Sequence, residues 1–234
     1  MKNRFYGDKK DYFKYGILDI LSTQYKSIGI NWYLTDDRDG NQLHGKDIRY
    51  LDDERWRRYN PRIYSLLKQR VENAERAIKY LKIDKVISFT HEIIEPLPRV
   101  ADRMDYETQR EDWHLKAIKE LAKCDLVVFD PDTGVKEKLP DDTINASEYC
   151  TASELEKYNW CDWLVVQFLK RESRFSQLIS NPVTKIARQR KKKITALITP
   201  QVSFLLVSNT ISIPLLQEIF QTWDTKISTQ ILVS

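Results

Sequence analysis

The chain has 234 residues, 41% of them hydrophobic and 31% charged, with 38 Lys and Arg against 34 Asp and Glu for a net charge of +4. Such a composition is ordinary for a globular protein, and the length suits a single α/β domain with a sizeable core spanning 1–234. No apolar run reaches the roughly 18–20 residues that cross a bilayer, and residues 1–8 lack the apolar stretch of a secretory signal; the expectation is a cytoplasmic protein that makes no membrane contact.

Cys124, Cys150 and Cys161 are widely spaced and form no C-x-x-C pair, a pattern that fits neither a disulfide framework nor a thiolate zinc site. With His44, His91 and His114 as the only histidines, thiol catalysis has little to work with, and Cys124 reads as packing.

In chain order, Gly7-Asp8 reads as a turn and N-cap, followed by a helix over 11–25 with Phe13, Ile17, Ile20 and Leu21 on one face. Gly29 opens a strand, Ile30 to Thr35, which stops at the polar run Asp36-Asp37-Arg38-Asp39-Gly40-Asn41. Residues 47–51 read as a second extended piece, too close to the first strand for a crossover helix. Pro61 starts a helix, and apolar positions from Ile63 to Leu81 predict one long face. Lys85 to Thr90 is a strand and Asp105 to Leu121 a helix with Trp113, Ala117, Ile118 and Leu121 inward. A buried strand, Asp125 to Phe129, comes next, then a short helix opened by the Thr151/Glu154 capping box. The strand Trp163 to Phe168 and a helix around 175–179 follow. Ile194 to Thr199 and Val202 to Ser208 form a hairpin around Pro200-Gln201, before a helix over 215–223 and an edge strand over 227–233. Trp32, Tyr33, Trp160 and Trp163 lie in or beside strands and read as core.

The buried strand ending at Phe129 runs directly into Asp130-Pro131-Asp132-Thr133-Gly134. Two carboxylates at a strand's C-terminal end stand where open α/β sheets bind ligands, and they are costly there unless they hold donors, bind a metal or move protons. An Asx-type turn or helix cap is the competing reading. Lys185, Arg188, Arg190, Lys191, Lys192 and Lys193 place six cations in nine residues; without them the acids outnumber the bases. Together with Lys170 and Arg171, at the end of another strand, they predict a positive surface for nucleic acid beside the acidic turn, or else a solvated helix end. Arg55-Trp56-Arg57-Arg58-Tyr59 mixes cations and rings, which suits base stacking and phosphate contact as well as a snorkelling amphipathic turn.

Near the N-terminus, Gly7, Asp8, Asp11, Lys14 and Tyr15 follow the spacing G-D-x-x-D-x-x-K-Y. This stretch resembles the G-N-x-x-D-x-x-K-H motif of the bacterial large-subunit ribosomal RNA adenine-N6 methyltransferases, with Asp8 at the asparagine and Tyr15 at the histidine. Asp130-Pro131-Asp132-Thr133 then stands where those enzymes carry D-P-P-Y. The chain looks still closer to bacterial proteins of unassigned function that combine G-D-x-x-D-x-x-K-Y-G, N-W-Y-L-T and D-P-D-N-G, a likeness covering most of its length. The resemblance implies a Rossmann-like α/β fold: a mainly parallel sheet with helices on both faces and a C-terminal antiparallel β-hairpin. It also implies S-adenosylmethionine as cofactor, held around Gly7, Asp8, Asp11 and Lys14 with Asp36 and Asp37 nearby, and Asp130, with Asp132, as the catalytic acids facing a target amine on RNA or DNA. The departures are an acid-rich turn in place of a glycine-rich one after the first strand, Asp132 in place of proline, and Thr133 in place of the stacking aromatic.

Two rival readings remain. Asp36, Asp130 and Asp132 are oxygen ligands of the kind that hold Mg²⁺ or Mn²⁺ in a nuclease or phosphodiesterase. The third is a catalytically degenerate fold that only binds nucleic acid or protein.

Overall fold

A computed structural model of the chain describes residues 3–34, 47–88, 103–141, 146–168, 174–200, 202–223 and 227–233. The helix α1 (Lys9–Leu21) leads into the strand β1 (Ile28–Asn31); α2 (Pro61–Glu72), β2 (Val86–Ser88), α3 (Arg103–Leu121) and β3 (Leu126–Phe129) follow. Two short strands, β4 (Gly134–Lys136) and β5 (Tyr149–Thr151), then pair with each other, ahead of α4 (Ala152–Glu156), β6 (Asp162–Gln167), α5 (Arg174–Ser180) and α6 (Pro182–Gln189). The chain closes with β7 (Ile194–Ile198), β8 (Ser203–Val207), α7 (Ile213–Ile219) and β9 (Ser228–Val233).

Among the described residues, seven strands form one sheet in the order β2-β1-β3-β6-β8-β7-β9. The first four are mutually parallel, β8 runs against both β6 and β7, and β9 runs against β7. Five strands therefore point one way, and the antiparallel hairpin β7–β8 folds back so that its second strand, not its first, lies beside β6. The α/β class, the helices on both faces and the C-terminal hairpin all match the reading of the sequence.

Strand alternation decides what each face carries. Leu126, Val128, Leu164, Val166, Phe204 and Leu206 face one layer with Phe13 and Ile17 of α1, Ile63 and Leu67 of α2, and Trp223. Val127, Phe129, Trp163, Val165, Leu205 and Val207 face the other, with Trp113 and Leu121 of α3, Leu155 of α4, and Val183 and Ile186 of α6. Runs such as Leu126–Phe129 look continuously apolar because both faces are covered.

Three local expectations are corrected. Residues 47–51 are not extended: Arg49–Asp52 is a 3-10 turn, which sends the consecutive Tyr50 and Leu51 into the same core, something an alternating strand cannot do. The helix from Pro61 stops at Glu72 rather than continuing to Leu81. It ends in a Schellman motif, with Glu75 N–H bonded to the Arg70 carbonyl, Ala74 N–H to that of Val71, and Ala74 in the left-handed region at φ 58°. Ile78 still reaches the core, but from a separate 3-10 turn. Trp160 is 40% exposed, not core, whereas Trp32 and Trp163 are buried.

Candidate functional site at the sheet's switch point

In this sheet β1 carries β2 on one side and β3 on the other, so the chain reverses its winding direction between β1 and β3. The C-terminal ends of such a strand pair splay into the crevice where doubly wound folds bind ligands. Asn31 ends β1 and Phe129 ends β3 directly opposite it, and the Asp130 amide donates to the Asn31 carbonyl at 3.0 Å. Asp130 is thereby fixed at the crevice floor.

Lys14 meets it from α1. Its Nζ lies 2.7 Å from Asp130 Oδ2 and 2.9 Å from Asp11 Oδ1, with the Trp32 ring centroid at 5.3 Å. Asp11 uses its other oxygen to accept from the Gly7 amide at 3.2 Å and the Tyr15 hydroxyl at 3.0 Å. Asp8 caps the helix, accepting from the amides of Lys10 and Asp11 at 2.9 and 3.0 Å. Gly7, Asp8, Asp11 and Lys14 are thus brought to Asp130 by one helix N-terminus. Gly7 has φ +84°, and a Cβ there would come within 2.8 Å of Val71, so both backbone and space call for glycine.

The electrostatics of the cluster follow from one lysine ammonium in contact with two buried carboxylates. Burial by itself would lower the Lys14 pKa, but Asp11 and Asp130 outweigh it and hold the ammonium protonated. Burial pushes the Asp130 carboxyl above its ordinary range, against the pull of Lys14 and helped by the charge of Asp11. The same two causes, burial and then Asp11, raise Asp8 to about 7. Every hydrogen bond from Lys14 to Asp130 goes through Oδ2, so Oδ1 has no hydrogen-bond partner among the described residues.

Thr133 and Gly134, which close the acidic turn, serve the backbone. Thr133 donates its amide and hydroxyl to the Glu148 carbonyl, at 3.0 and 2.9 Å, which aims it at β5 rather than at a ligand. Gly134, at φ +121°, lets the backbone pass Gln167, whose Oε1 accepts from the Val135 amide at 3.0 Å; a Cβ on Gly134 would lie 2.2 Å from the Gln167 amide nitrogen. Asp132 is half-buried two residues beyond Asp130. Among the described residues no group of three or more His, Cys, Asp or Glu side chains is placed to hold a metal ion. Asp36 and Asp37, assigned above to cofactor or metal, lie outside the described residues, as do Lys170 and Arg171.

The basic run does not flank Asp130. Lys185, near the start of α6, pairs with Glu137 beyond the acidic turn, but α6 then carries the run to the opposite sheet edge. There Lys192 bonds Asp162, the first residue of β6, at 3.0 Å, and Arg190 stacks on Trp163 and donates to the Glu156 carbonyl. Lys191, at φ 53°, closes a Schellman turn in which the Lys192 amide reaches the Ala187 carbonyl; Arg188, Lys191 and Lys193 are exposed. The single positive surface expected beside the acids is split because a helix covering a parallel sheet runs antiparallel to its strands.

A second buried polar group was not foreseen. Arg110 donates from Nε to Glu154 Oε1 at 2.6 Å and from Nη2 to Oε2 at 3.0 Å, and its remaining N–H groups reach Tyr106 Oη and the carbonyls of Ala146 and Tyr149. Glu154 also accepts from the Thr151 amide and the Tyr33 hydroxyl. The capping box was the only sequence signal pointing to Glu154. Nothing in the spacing marks Arg110, which sits among other charges on α3. Tyr33, just past β1, has φ +36°, a left-handed conformation held by its hydroxyl bonds to Glu154 and Cys150.

Comparison with protein-family models, with curated proteins and with solved structures finds no match to this chain. The functional reading therefore rests on the geometry and the motifs.

Proposed function

We propose that this protein is a divergent S-adenosylmethionine methyltransferase-like enzyme acting on nucleic acid, RNA or DNA, with its site at the crevice between β1 and β3. The observation that carries the reading is the contact of Lys14 with Asp130 at that crevice, since it joins the two motifs on which the resemblance rests. Support comes also from the sheet, in which an antiparallel β8 is inserted between β6 and β7 beyond a parallel β2-β1-β3-β6 core.

The residues present suit the cofactor in charge. Asp11 and Asp130 share the one lysine side chain there, and carboxylates attract the sulfonium and ammonium that S-adenosylmethionine carries. Tyr33, just past β1, takes up a left-handed conformation without being glycine. In this reading Lys14 and Asp11 orient the cofactor end of the crevice. Asp130 accepts, through Oδ1, an N–H of the amine to be modified, and the cofactor when bound supplies the methyl group.

Isothermal titration calorimetry with S-adenosylmethionine tests the proposal. Binding by the wild type, weakened at least about tenfold in Lys14→Ala, is the expected result. Asp130→Asn is expected to keep cofactor affinity while losing transfer of labelled methyl to total RNA or DNA. No heat with the cofactor, or equal affinity in Lys14→Ala, would reject the reading. A parallel titration with Mn²⁺ that shows binding abolished by Asp132→Asn would instead favour the metal-dependent nuclease.

A further inference from the structure

The four parallel strands and β7 all begin at one edge of the sheet, the edge away from the crevice. Lysine leads into four of these five strands. Lys85 immediately precedes β2, and its carbonyl accepts from the Ile28 amide at 2.9 Å. Lys26 stands two residues before β1, between Tyr25, whose hydroxyl reaches Asp162, and Ser27. Lys123 stands three before β3, and its carbonyl accepts from the Ser27 hydroxyl at 2.9 Å. Lys191, Lys192 and Lys193 lead into β7; the Lys193 carbonyl accepts from the Ser208 amide and its own amide donates to Asn209 Oδ1, each at 3.0 Å.

Lys26, Lys85, Lys123, Arg188, Lys191 and Lys193 are exposed, and none has a carboxylate partner among the described residues. Most acids of this edge are committed: Asp19 and Asp84 pair with Arg62, Asp162 is buried against Lys192, and Asp125 accepts from the Ser27 amide. Glu120 and Glu156 are the exposed acids there without a cation partner among the described residues. Two of the lysines occupy left-handed backbone, Lys85 at φ 63° and Lys191 at φ 53°. Glycine or asparagine fits such positions at less cost, so positive charge stands where local geometry favours another residue. The negative end of a helix dipole draws cations to the residues just after α3 and α6, but neither Lys26 nor Lys85 ends a helix.

From β2 to β7 the sheet order has five interstrand steps, a span of roughly 24 Å. Phosphates of a stacked strand rise about 3.4 Å each, so the rim runs alongside several of them. A membrane surface is held by apolar side chains set beside the cations. Among the described residues Trp160, just before β6, is the one large exposed apolar side chain at this edge. A line of cations without an apolar face fits a linear polyanion better.

We infer that this lysine rim binds the phosphate backbone of a nucleic acid, with Lys26, Lys85 and Lys123 at one end and Arg188, Lys191 and Lys193 at the other. β6 is six residues long, which sets the rim and the crevice roughly 20 Å apart. One nucleic acid reaches both only if it is long or folded, and that is the substrate class the rim implies. The inference rests on the proposed nucleic-acid substrate and adds where its backbone is gripped.

Fluorescence anisotropy over a salt series tests it on the full chain, with labelled RNA and DNA of about 20 nucleotides, single-stranded and duplex. Lys26→Gln/Lys85→Gln/Lys123→Gln and Arg188→Gln/Lys191→Gln/Lys193→Gln each remove one end of the rim. These side chains are exposed, so both variants are expected to fold. Each is expected to bind at least about tenfold more weakly than wild type and to reduce the slope of log affinity against log salt by about 2. Arg55→Gln/Arg57→Gln/Lys68→Gln, on the α2 layer, is the charge-matched control and is expected to stay within about twofold. Wild-type affinity and slope in either rim variant, an equal loss in the control, or no binding of any of these nucleic acids would overturn the inference. Rim-dependent binding confined to phosphatidylserine vesicles would overturn it as well and assign the edge to a membrane surface. Calorimetry with S-adenosylmethionine on the same variants is read separately: cofactor binding without rim-dependent nucleic-acid binding sinks this inference alone, whereas rim-dependent binding without cofactor binding sinks the methyltransferase reading alone.

Discussion

Arg110 and Glu154 form a two-pronged ion pair 44 residues apart, with all five guanidinium N–H groups engaged by side chains or carbonyls. The pair ties α3 to the capping box of α4 and to the start of β5. Because both groups are buried and fully hydrogen-bonded, removing one leaves the other stranded.

Glu154→Gln and Arg110→Met are each expected to destabilise the protein by about 3–5 kcal/mol in urea unfolding. Burial would raise the Glu154 pKa, but Arg110 outweighs it and the value is lowered. A carboxylate lowered in the folded state stabilises above its unfolded pKa of about 4.5, and that stability is lost as pH falls through the folded value. The cost of Glu154→Gln should therefore shrink below pH 4; a cost independent of pH would show that the pair is not ionised.

Asp8 behaves in the opposite sense. Its carboxyl is raised to about 7 by burial and by Asp11, so the stability it contributes is complete below about pH 4 and is lost as pH rises towards 7. Asn caps a helix as well as Asp does and carries no charge. Asp8→Asn is expected to raise stability at pH 8 by about 2 kcal/mol and to make no gain at pH 4, measured by urea unfolding at the two values.

Gly134 carries a backbone conformation and a close approach at once, φ +121° against the Gln167 side chain. Gly134→Ala should cost about 2 kcal/mol or more, and Gln167→Ala in the same chain should not restore it, because the backbone strain persists and the Val135 amide loses its acceptor. Full recovery in the double variant, read from thermal unfolding, would mean that steric contact alone matters.

His114 is fully buried, edge-on to Tyr158 with ring centroids 5.4 Å apart, and neither ring nitrogen has a hydrogen-bond partner among the described residues. Burial lowers its pKa, so its neutral form contributes stability present above pH 6.5 and lost as pH falls through the folded value. His114→Phe is expected to leave stability at pH 7 within about 1 kcal/mol of wild type and to lessen the decline towards pH 5. A loss of more than about 3 kcal/mol at pH 7 would reveal an ordered partner on the ring.

Several parts of this architecture were legible from local pattern. Apolar runs ending in polar turns marked the strands, Asp8 and Thr151 announced their caps, and the pair Ile194–Thr199 and Val202–Ser208 announced the hairpin. Each signal depends on residues within a few positions of one another, and local backbone geometry is governed at that range. Of the candidate site, the motif around Asp11 and Lys14 and the acidic turn at Asp130 were visible separately, as residue types at given spacings.

The tertiary structure decided what long-range packing controls. It brought Lys14 to Asp130 across 116 residues, because α1 begins at the sheet edge where β3 ends. It divided the basic run between opposite edges, since a covering helix runs counter to its strands, and it stopped the helix at Glu72 with a left-handed Ala74 that periodicity does not disclose. Arg110 showed no sign in the sequence of being buried, because a charge enters a core only where partners from distant segments converge to satisfy all its donors. Such convergence is a property of the folded chain and not of any stretch of it.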